Sequence, residues 1–497
     1  MNIRLTLHVL GGLLVFLAGM LLLPLAYSFP SDTGAPVSFL LSSAVSAVAG
    51  VALQRSFRST EEMSYREAFA IVTFGWLFFA LFGSLPFLFS GTILHPVDAF
   101  FESMSGFSTT GATVITDLNR VPQDVLLWRS LTQWMGGMGI IVLGLAILPF
   151  LGVGGMQLFE AEMSGPTADR LTPRIQDTAK LLWGIYFTIT AAEVVLLLLG
   201  GMSLHEALCH SFATMATGGF STRNESVGGF ESRYLHVVIT VFMFLAGTNF
   251  SLHYFAFRGR LGRCFADEQF RFYVGMTVAS VLIVAAAVGL SVLVADGSPV
   301  EGDVVEPPRR TGPLDVLIDS AFQVVSILTA TGFATADYEL WPYVAQGILV
   351  LAMFFGGCAG STAGGMKIMR VLLVVKHAQL QILRLIHPRG VRVLKLDHQP
   401  VSQEVMQSIL GFVAAYLGVF VLATLLMAAL GIDLLTSGGA VVACMSNVGP
   451  GIGEVGPTDT YAPLPYLAKL VLCACMLFGR LELFTVFVLF FPSFWRR

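Results

Sequence analysis

Four short stretches of the chain carry the residues best suited to chemistry on an ion. They are Ser108-Thr109-Thr110-Gly111-Ala112-Thr113, Ala216-Thr217-Gly218-Gly219-Phe220-Ser221, Thr329-Ala330-Thr331-Gly332-Phe333-Ala334-Thr335 and Ser446-Asn447-Val448-Gly449-Pro450-Gly451. An alkali cation entering a dry passage must replace the water oxygens it loses, and backbone carbonyls in an extended loop can supply them. Such a loop needs unusual φ and ψ values, which glycine permits, and neighbouring threonine hydroxyls add further oxygen. Aligned on Gly111, Gly218, Gly332 and Gly449, the stretches lie 107, 114 and 117 residues apart. One such turn means little. Four at near-equal spacing point to four copies of one unit around an axis. The expected ion ligands are Thr110-Gly111, Thr217-Gly218, Thr331-Gly332 and Asn447-Val448-Gly449, the fourth loop departing from strict symmetry.

The elements that must hold these loops follow from composition. The chain has 497 residues, 55% of them hydrophobic and 12% charged, and ordinary soluble domains carry about twice that charged fraction. Apolar runs of spanning length succeed one another, so the expected fold is an all-α polytopic membrane protein. A net charge of −4 without a basic tract excludes nucleic acid as a partner, and six scattered cysteines without a CxxC pair call for neither disulfides nor a metal cluster. The first apolar run, Leu5 to Phe29, is too long for a signal-peptide core and reads as a retained helix.

A two-helix hairpin (5–29 and 36–54, within 1–60) is expected to precede four units at 61–155, 156–262, 263–400 and 401–497. Each unit reads as outer helix, half-span pore helix, loop and inner helix. Outer helices are expected near 67–90, 178–200, 271–295 and 404–430, and inner helices near 128–151, 234–257, 340–376 and 464–491. That makes ten full spans with both termini on one side. Of the 28 Lys and Arg residues, 20 fall on that side and 6 on the other, which makes the termini cytosolic and turns the loops outward. Pro96 and Asp98, the capping box Ser203 to Glu206, Pro313 and Asp315, and Asp433 mark the outer starts of the pore helices. Their C-terminal ends then converge at mid-bilayer, and their partial negative charges favour a dehydrated cation.

Two further features stand out. The run from 340 to 376 is too long for one span at about 1.5 Å per residue and a core of about 30 Å. Its middle contains Gly356, Gly357, Gly360, Ser361, Thr362, Gly364 and Gly365. Broken backbone at membrane depth is tolerated where it is buried or lines a cavity, so this segment reads as a gating loop beneath the ion site; close helix packing is the plainer alternative. Arg480 lies mid-span, at a cost of at least about 2.5–3.5 kcal/mol. It must face inward, either in an ion pair with Glu482 or another acid, or beside the pore. Lys469 is expected to snorkel to the interface. Glu454, just past the fourth loop, is the acid best placed to concentrate cations at the outer vestibule, unless it is simply solvated loop charge.

Two motifs mislead. Gly451 to Gly456 matches GxGxxG but follows a helix and runs into Pro457, not into a βαβ unit. His205-Glu206-Ala207-Leu208-Cys209-His210 resembles HExxH with one residue too many, which sets the two histidines about 140° apart on a helix.

In the four loops, in the run Gly356-Gly357-Cys358-Ala359-Gly360-Ser361-Thr362-Ala363-Gly364-Gly365-Met366-Lys367 and in Arg480, the chain resembles the Trk/Ktr/HKT superfamily of potassium transporters. The resemblance covers the whole length. It is specifically to the TrkH/TrkG-type membrane subunit of the bacterial Trk system, which has the N-terminal hairpin that Ktr-type members lack. It implies four pseudo-fourfold repeats around a central pore, with the glycine loops as potassium filter, 356–365 as gate and a basic residue at Arg480. It also implies K⁺ as the transported ion, no organic cofactor in this chain, and a homodimer in the bacterial inner membrane. The implied partner is a cytosolic ring of nucleotide-binding TrkA-type subunits, for which 367–400 and Arg496-Arg497 are candidate docking surfaces. No covalent chemistry is expected, so the chain is not read as an enzyme. The alternatives are a Na⁺-coupled secondary transporter, which typically shows two inverted repeats, and an intramembrane enzyme, which needs an acid/base or metal cluster that the sparse polar residues do not offer.

Overall fold

The computed structural model describes residues 2–28, 34–59, 64–147, 175–295, 312–390, 392–397 and 399–495. The unit boundaries expected at 60–61 and 155–156 lie outside them, as do Arg170, Arg174, Arg309, Arg310, Arg496 and Arg497. Helices dominate; among the described residues the only strands are the antiparallel pair Lys395–Leu396 and Gln399–Pro400.

The N-terminal hairpin is present as Ile3–Met20, continued by Leu22–Ser28, against Pro36–Ser56. Its two helices touch backbone to backbone: a Cβ on Gly11 would stand 2.6 Å from the Gly50 carbonyl oxygen, and one on Gly50 would stand 2.7 Å from that of Gly11. Small residues permit that approach where lipid offers no hydrophobic drive to pair.

The outer helices are Tyr65–Gly83 (continued by Leu85–Phe89), Ile175–Leu199, Glu268–Ala295 and Gln403–Ala429. The short helices are Pro96–Phe107, Leu204–Met215, Pro313–Leu328 and Leu434–Met445, each starting on its anticipated signal. Glu206 and Ser203 form the capping box, and Asp433 accepts from Thr436 N at 3.0 Å. A twelve-residue helix is about 18 Å long, half a membrane.

The inner helices depart from expectation. Only the first, Gln123–Ile147, runs without a break among the described residues. The second divides into Arg233–Ala246 and Phe250–Phe257 at an angle of 106°, and the fourth turns by 111° between Tyr466–Arg480 and Phe484–Phe490. The continuous spans expected over 234–257 and 464–491 are therefore corrected. In the first case Gly247 ends one helix and Asn249 caps the next, its Oδ1 accepting from Ser251 N at 2.9 Å. In the second, Glu482 and Leu483 turn the chain at φ +58° and +41°. The third inner segment is broken as anticipated, into Tyr343–Phe355 and Ile368–Ile386. By length and apolarity six helices among the described residues can cross a membrane, or eight with each bent pair taken as one span.

Lys469 does not snorkel. It is 1% exposed, and its ammonium donates to Asp98 Oδ1 at 2.6 Å and to the Ala462 carbonyl at 2.9 Å. The first-turn acid of the first short helix supplies its countercharge. Likewise Asp315, in the first turn of the third short helix, accepts from Arg233 through both carboxylate oxygens at 2.7 and 2.8 Å.

Candidate functional site

All four short helices end in one pattern. The backbone N–H groups of Thr110, Gly218, Thr331 and Val448 each donate to the carbonyl five residues back, at 2.8 Å in every case. Just before them Thr109, Thr217, Ala330 and Asn447 adopt left-handed φ values of +54°, +52°, +57° and +55°. This is the Schellman ending, whose left-handed position is usually glycine. Non-glycine residues there store strain of about 1–3 kcal/mol each, as functional sites commonly do. Next come Gly111, Gly219, Gly332 and Gly449, with φ from +73° to +100°. The equivalent glycine of the second loop is thus Gly219, and Gly218 takes the place of Thr110, Thr331 and Val448. The Gly-Gly pair offered two registers, and the alignment on Gly218 was one residue off.

The loops touch in a closed cycle. A Cβ on Gly111 would lie 2.2 Å from the Gly218 carbonyl oxygen, and one on Gly219 would lie 2.1 Å from that of Thr331. One on Gly332 would be 1.8 Å from the Val448 oxygen, and one on Gly449 2.6 Å from the Thr110 oxygen. Each loop's glycine makes room for a carbonyl of the next, which brings Thr110, Gly111, Gly218, Thr331, Gly332, Val448 and Gly449 into one ring. Thr217 and Asn447 sit directly behind it, fully buried.

A cavity of about 100 Å³ opens against the ring and touches Gly111, Gly219, Gly332 and Gly449 together. Asp459, Arg223 and Tyr461 also line it. Glu454 does not: it is exposed, with its N–H on Thr436 Oγ1 at 3.0 Å, so Asp459 is the acid beside this cavity.

Side chains from the surrounding helices fix the ring. The buried pair Arg129–Glu102 closes at 2.8 Å. Glu102 also accepts from Val114 N at 2.9 Å, and Arg129 donates to the Ser221 carbonyl at 3.2 Å and lies 4.0 Å over Phe220, joining the first loop to the second. Tyr461 donates its hydroxyl to the Gly449 carbonyl at 2.7 Å and its N–H to that of Thr113 at 2.9 Å, joining the fourth to the first. Gln133 bonds the second loop at the Gly218 carbonyl and the Phe220 N–H. Sequence reasoning missed these four. For Glu102, Arg129 and Gln133 the signal was a carboxylate, a guanidinium and an amide in otherwise apolar helices; Tyr461, in the connection before the last inner helix, carried none.

The segment anticipated as a gate lies beneath the short-helix ends. Gly356, Gly360 and Gly365 take φ values of +74°, +71° and +74°. Thr362 Oγ1 is 3.1 Å from the Met215 carbonyl and 3.2 Å from that of Ala246, and a Cβ on Gly364 would meet the Ser446 carbonyl at 2.0 Å. Gly357 accepts from Ile368 N at 2.9 Å, and Ser361 donates to the Cys358 carbonyl at 2.5 Å. Arg480 is 2% exposed and donates to the Thr362 carbonyl at 2.7 Å and to that of Gly136, on the first inner helix, at 2.9 Å. Its suggested partner Glu482 pairs instead with Arg370, at 2.5 Å. Arg480 is thus a strut between the segment and the first unit.

The decoys resolve into packing. His210 bonds Ser221 Oγ and the Glu206 carbonyl, while His205 stacks on Tyr27. Gly453, at φ +87°, makes room for Thr436. No group of three or more His, Cys, Asp or Glu residues among the described residues is arranged to hold a metal.

Comparison with known proteins agrees with this architecture. The family model TrkH, described as cation transport protein, matches residues 37–497. The Trk system potassium uptake protein TrkH of Halomonas elongata is 39% identical over 501 residues, covering all of both chains. That of Escherichia coli K12 is 38% identical over 500 residues, again covering all of both chains. The TrkG protein of the same strain is 34% identical over 503 residues, covering 100% of this chain and 99% of TrkG. The crystal structure of the potassium transporter TrkH from Vibrio parahaemolyticus superposes with a TM-score of 0.89 at 38% identity and covers all of both chains.

Proposed function

The chain belongs to the TrkH family of cation transport proteins, and from that premise we propose that it takes up K⁺ through the ring of four loops. Family and relatives are transporters, so this is a membrane transport protein and not an enzyme. The observation that carries the proposal is the cyclic contact of the four glycines with their neighbours' carbonyls. It sets peptide oxygens from every unit around one point, where the negative ends of four short helices add to their pull on a cation. Thr110, Gly111, Thr217, Gly218, Thr331, Gly332, Asn447, Val448 and Gly449 form the filter in this reading, with Gly219 added.

The segment with Gly356, Gly357, Gly360, Ser361, Thr362, Gly364 and Gly365 acts as the gate, held shut through Arg480. K⁺ moves inward down the membrane potential, worth about 2.3 kcal/mol per charge per 100 mV, across the bacterial inner membrane with the termini in the cytosol. A second copy of the chain and a cytosolic TrkA-type nucleotide-binding ring complete the assembly in this reading; the relatives' names, which place them in a Trk system, support a regulatory partner.

The test is ⁸⁶Rb⁺ against Na⁺ flux in proteoliposomes, with the regulatory partner present, for the native chain and Gly332→Ser. The native chain is expected to prefer Rb⁺ and the variant to lose uptake or admit Na⁺. A native chain that passes no alkali cation defeats the transport reading. A variant indistinguishable from it defeats the filter reading alone.

A further inference from the structure

We infer that Gln133 is a positioning residue that holds the Gly218 carbonyl in the ring and thereby sets its preference among cations. The inference rests on the filter reading above. Gln133 sits on the first inner helix and is 0% exposed. A buried amide without partners costs about 1–3 kcal/mol, and both ends of this one are used by a single loop. Its Nε2 donates to the Gly218 carbonyl oxygen at 2.5 Å, and its Oε1 accepts from Phe220 N at 3.1 Å. One side chain therefore grips the second loop on both sides of Gly219.

The other loops show why this loop needs an outside brace. In the first, the hydroxyls of Ser108 and Thr110 lie 2.7 Å apart, and in the third those of Thr329 and Thr331 lie 2.7 Å apart. Each pair ties the carbonyl-bearing residue of the ring to the residue two before it. The fourth loop is held by Asn447, whose amide donates to Thr110 Oγ1 and to the Met476 carbonyl, both at 3.0 Å. The corresponding residues of the second loop are Ala216 and Gly218, which have no hydroxyl to offer.

Space is reciprocal: a Cβ on Gly218 would stand 2.5 Å from Gln133 Cδ, so the amide occupies the volume that a threonine side chain would take. A carbonyl oxygen has two lone pairs, and the amide engages one while the other stays free for an ion. The same oxygen abuts Gly111 of the first loop. Displacing it would open the seam between two loops.

The experiment is Rb⁺ and Na⁺ flux through the full chain with its regulatory partner, for the native protein, Gln133→Glu and Gln133→Met, each at about pH 5.5 and about pH 8.5. A protonated carboxyl can reproduce both bonds of the amide, whereas an ionised one can accept from Phe220 N but only repels the Gly218 oxygen. Gln133→Glu is therefore expected to match the native Rb⁺/Na⁺ ratio in acid and to lose about tenfold in base, as losing a buried hydrogen bond implies. Gln133→Met is expected to show the lowered ratio at both pH values, which separates positioning from a mere added charge. Rb⁺-dependent protection against thermal unfolding gives a second readout on the same samples. If Gln133→Met fails to fold, the acid and alkaline ratios of Gln133→Glu decide alone. The inference is overturned if the native protein prefers Rb⁺ while Gln133→Glu keeps the native ratio at both pH values, or while a folded Gln133→Met keeps it. A native protein with no preference for Rb⁺ instead removes the filter reading on which it stands.

Discussion

Gly332 lies so close to the Val448 carbonyl that a Cβ added to it would stand 1.8 Å from that oxygen, in a backbone at φ +82°. Substitution there meets two obstacles together, a steric one from the fourth loop and a conformational one from its own peptide. Neither yields easily, because the obstructing atom is backbone. The same holds at Gly219 and Gly111, against Thr331 and Gly218, at 2.1 and 2.2 Å. At Gly449 the gap to Thr110 is 2.6 Å. Alanine substitutions are therefore expected to impair Rb⁺ uptake in the order Gly332, Gly219, Gly111, Gly449, with Gly332→Ala near zero. Initial rates at matched protein density check the order, and Gly449→Ala as the most damaging would refute it.

Arg480 holds the glycine-rich segment by its bond to the Thr362 carbonyl and the first inner helix by its bond to that of Gly136. Each charge-assisted bond is worth about 1.5–3 kcal/mol. Arg480→Gln is expected to raise Rb⁺ flux measured without the regulatory partner by about tenfold. Arg480→Lys, lacking the fork that reaches two carbonyls, should fall between. Unchanged basal flux in a folded Arg480→Gln would show that the strut does not restrain ion passage.

The Arg129–Glu102 pair is almost wholly desolvated. Removing one partner strands a buried charge at a cost of about 3–5 kcal/mol. Arg129→Met alone should therefore lower the melting temperature in detergent more than the double variant Arg129→Met/Glu102→Leu does. A double variant at least as damaged as the single one would mean that the side chains matter for bracing the loops and not for neutralising each other.

Before the start of the third outer helix, burial pushes the Asp267 carboxyl up to about 6, with Asp397 adding to the rise and the Phe270 N–H opposing it. A carboxyl whose value is raised in the folded state favours folding below its unfolded value of 3.8, and that contribution is lost as pH climbs through about 6. Acidifying from about pH 7.5 to about pH 5 should therefore stabilise the native protein relative to Asp267→Asn. Melting temperatures of both proteins at the two pH values test the sign, and a native protein that loses stability relative to the variant in acid would reverse it.

Much of this architecture was legible because its signals are local. Pro96, Asp98, Ser203, Pro313, Asp315 and Asp433 start helices by their own chemistry, and the glycine and threonine residues that end them follow 11 to 19 residues on. The register of the second loop was not legible. Gly218 and Gly219 are both glycine, and what separates them is Gln133, 85 residues earlier. The partner of Lys469 was hidden for the same reason, since Asp98 lies 371 residues away. The bends in the second and fourth inner helices leave no mark in the sequence, because Gly247 and Glu482-Leu483 sit in runs apolar enough to span. Hydropathy reports how deep a segment lies, while direction is decided by what the segment meets there.

The ring has a beginning and an end in time as well as in space. Its last joint, where the Asn447 amide reaches Thr110, spans 337 residues of chain. At about 5–20 residues per second of synthesis, the first loop sits in the lipid for about twenty seconds to a minute before its final neighbour exists. The ring grows loop by loop over that interval, and from the third loop to the fourth three quarters of it stand open on one side. The capped helix ends and the buried Arg129–Glu102 pair must keep the early loops in shape unaided until the ribosome delivers the piece that closes them.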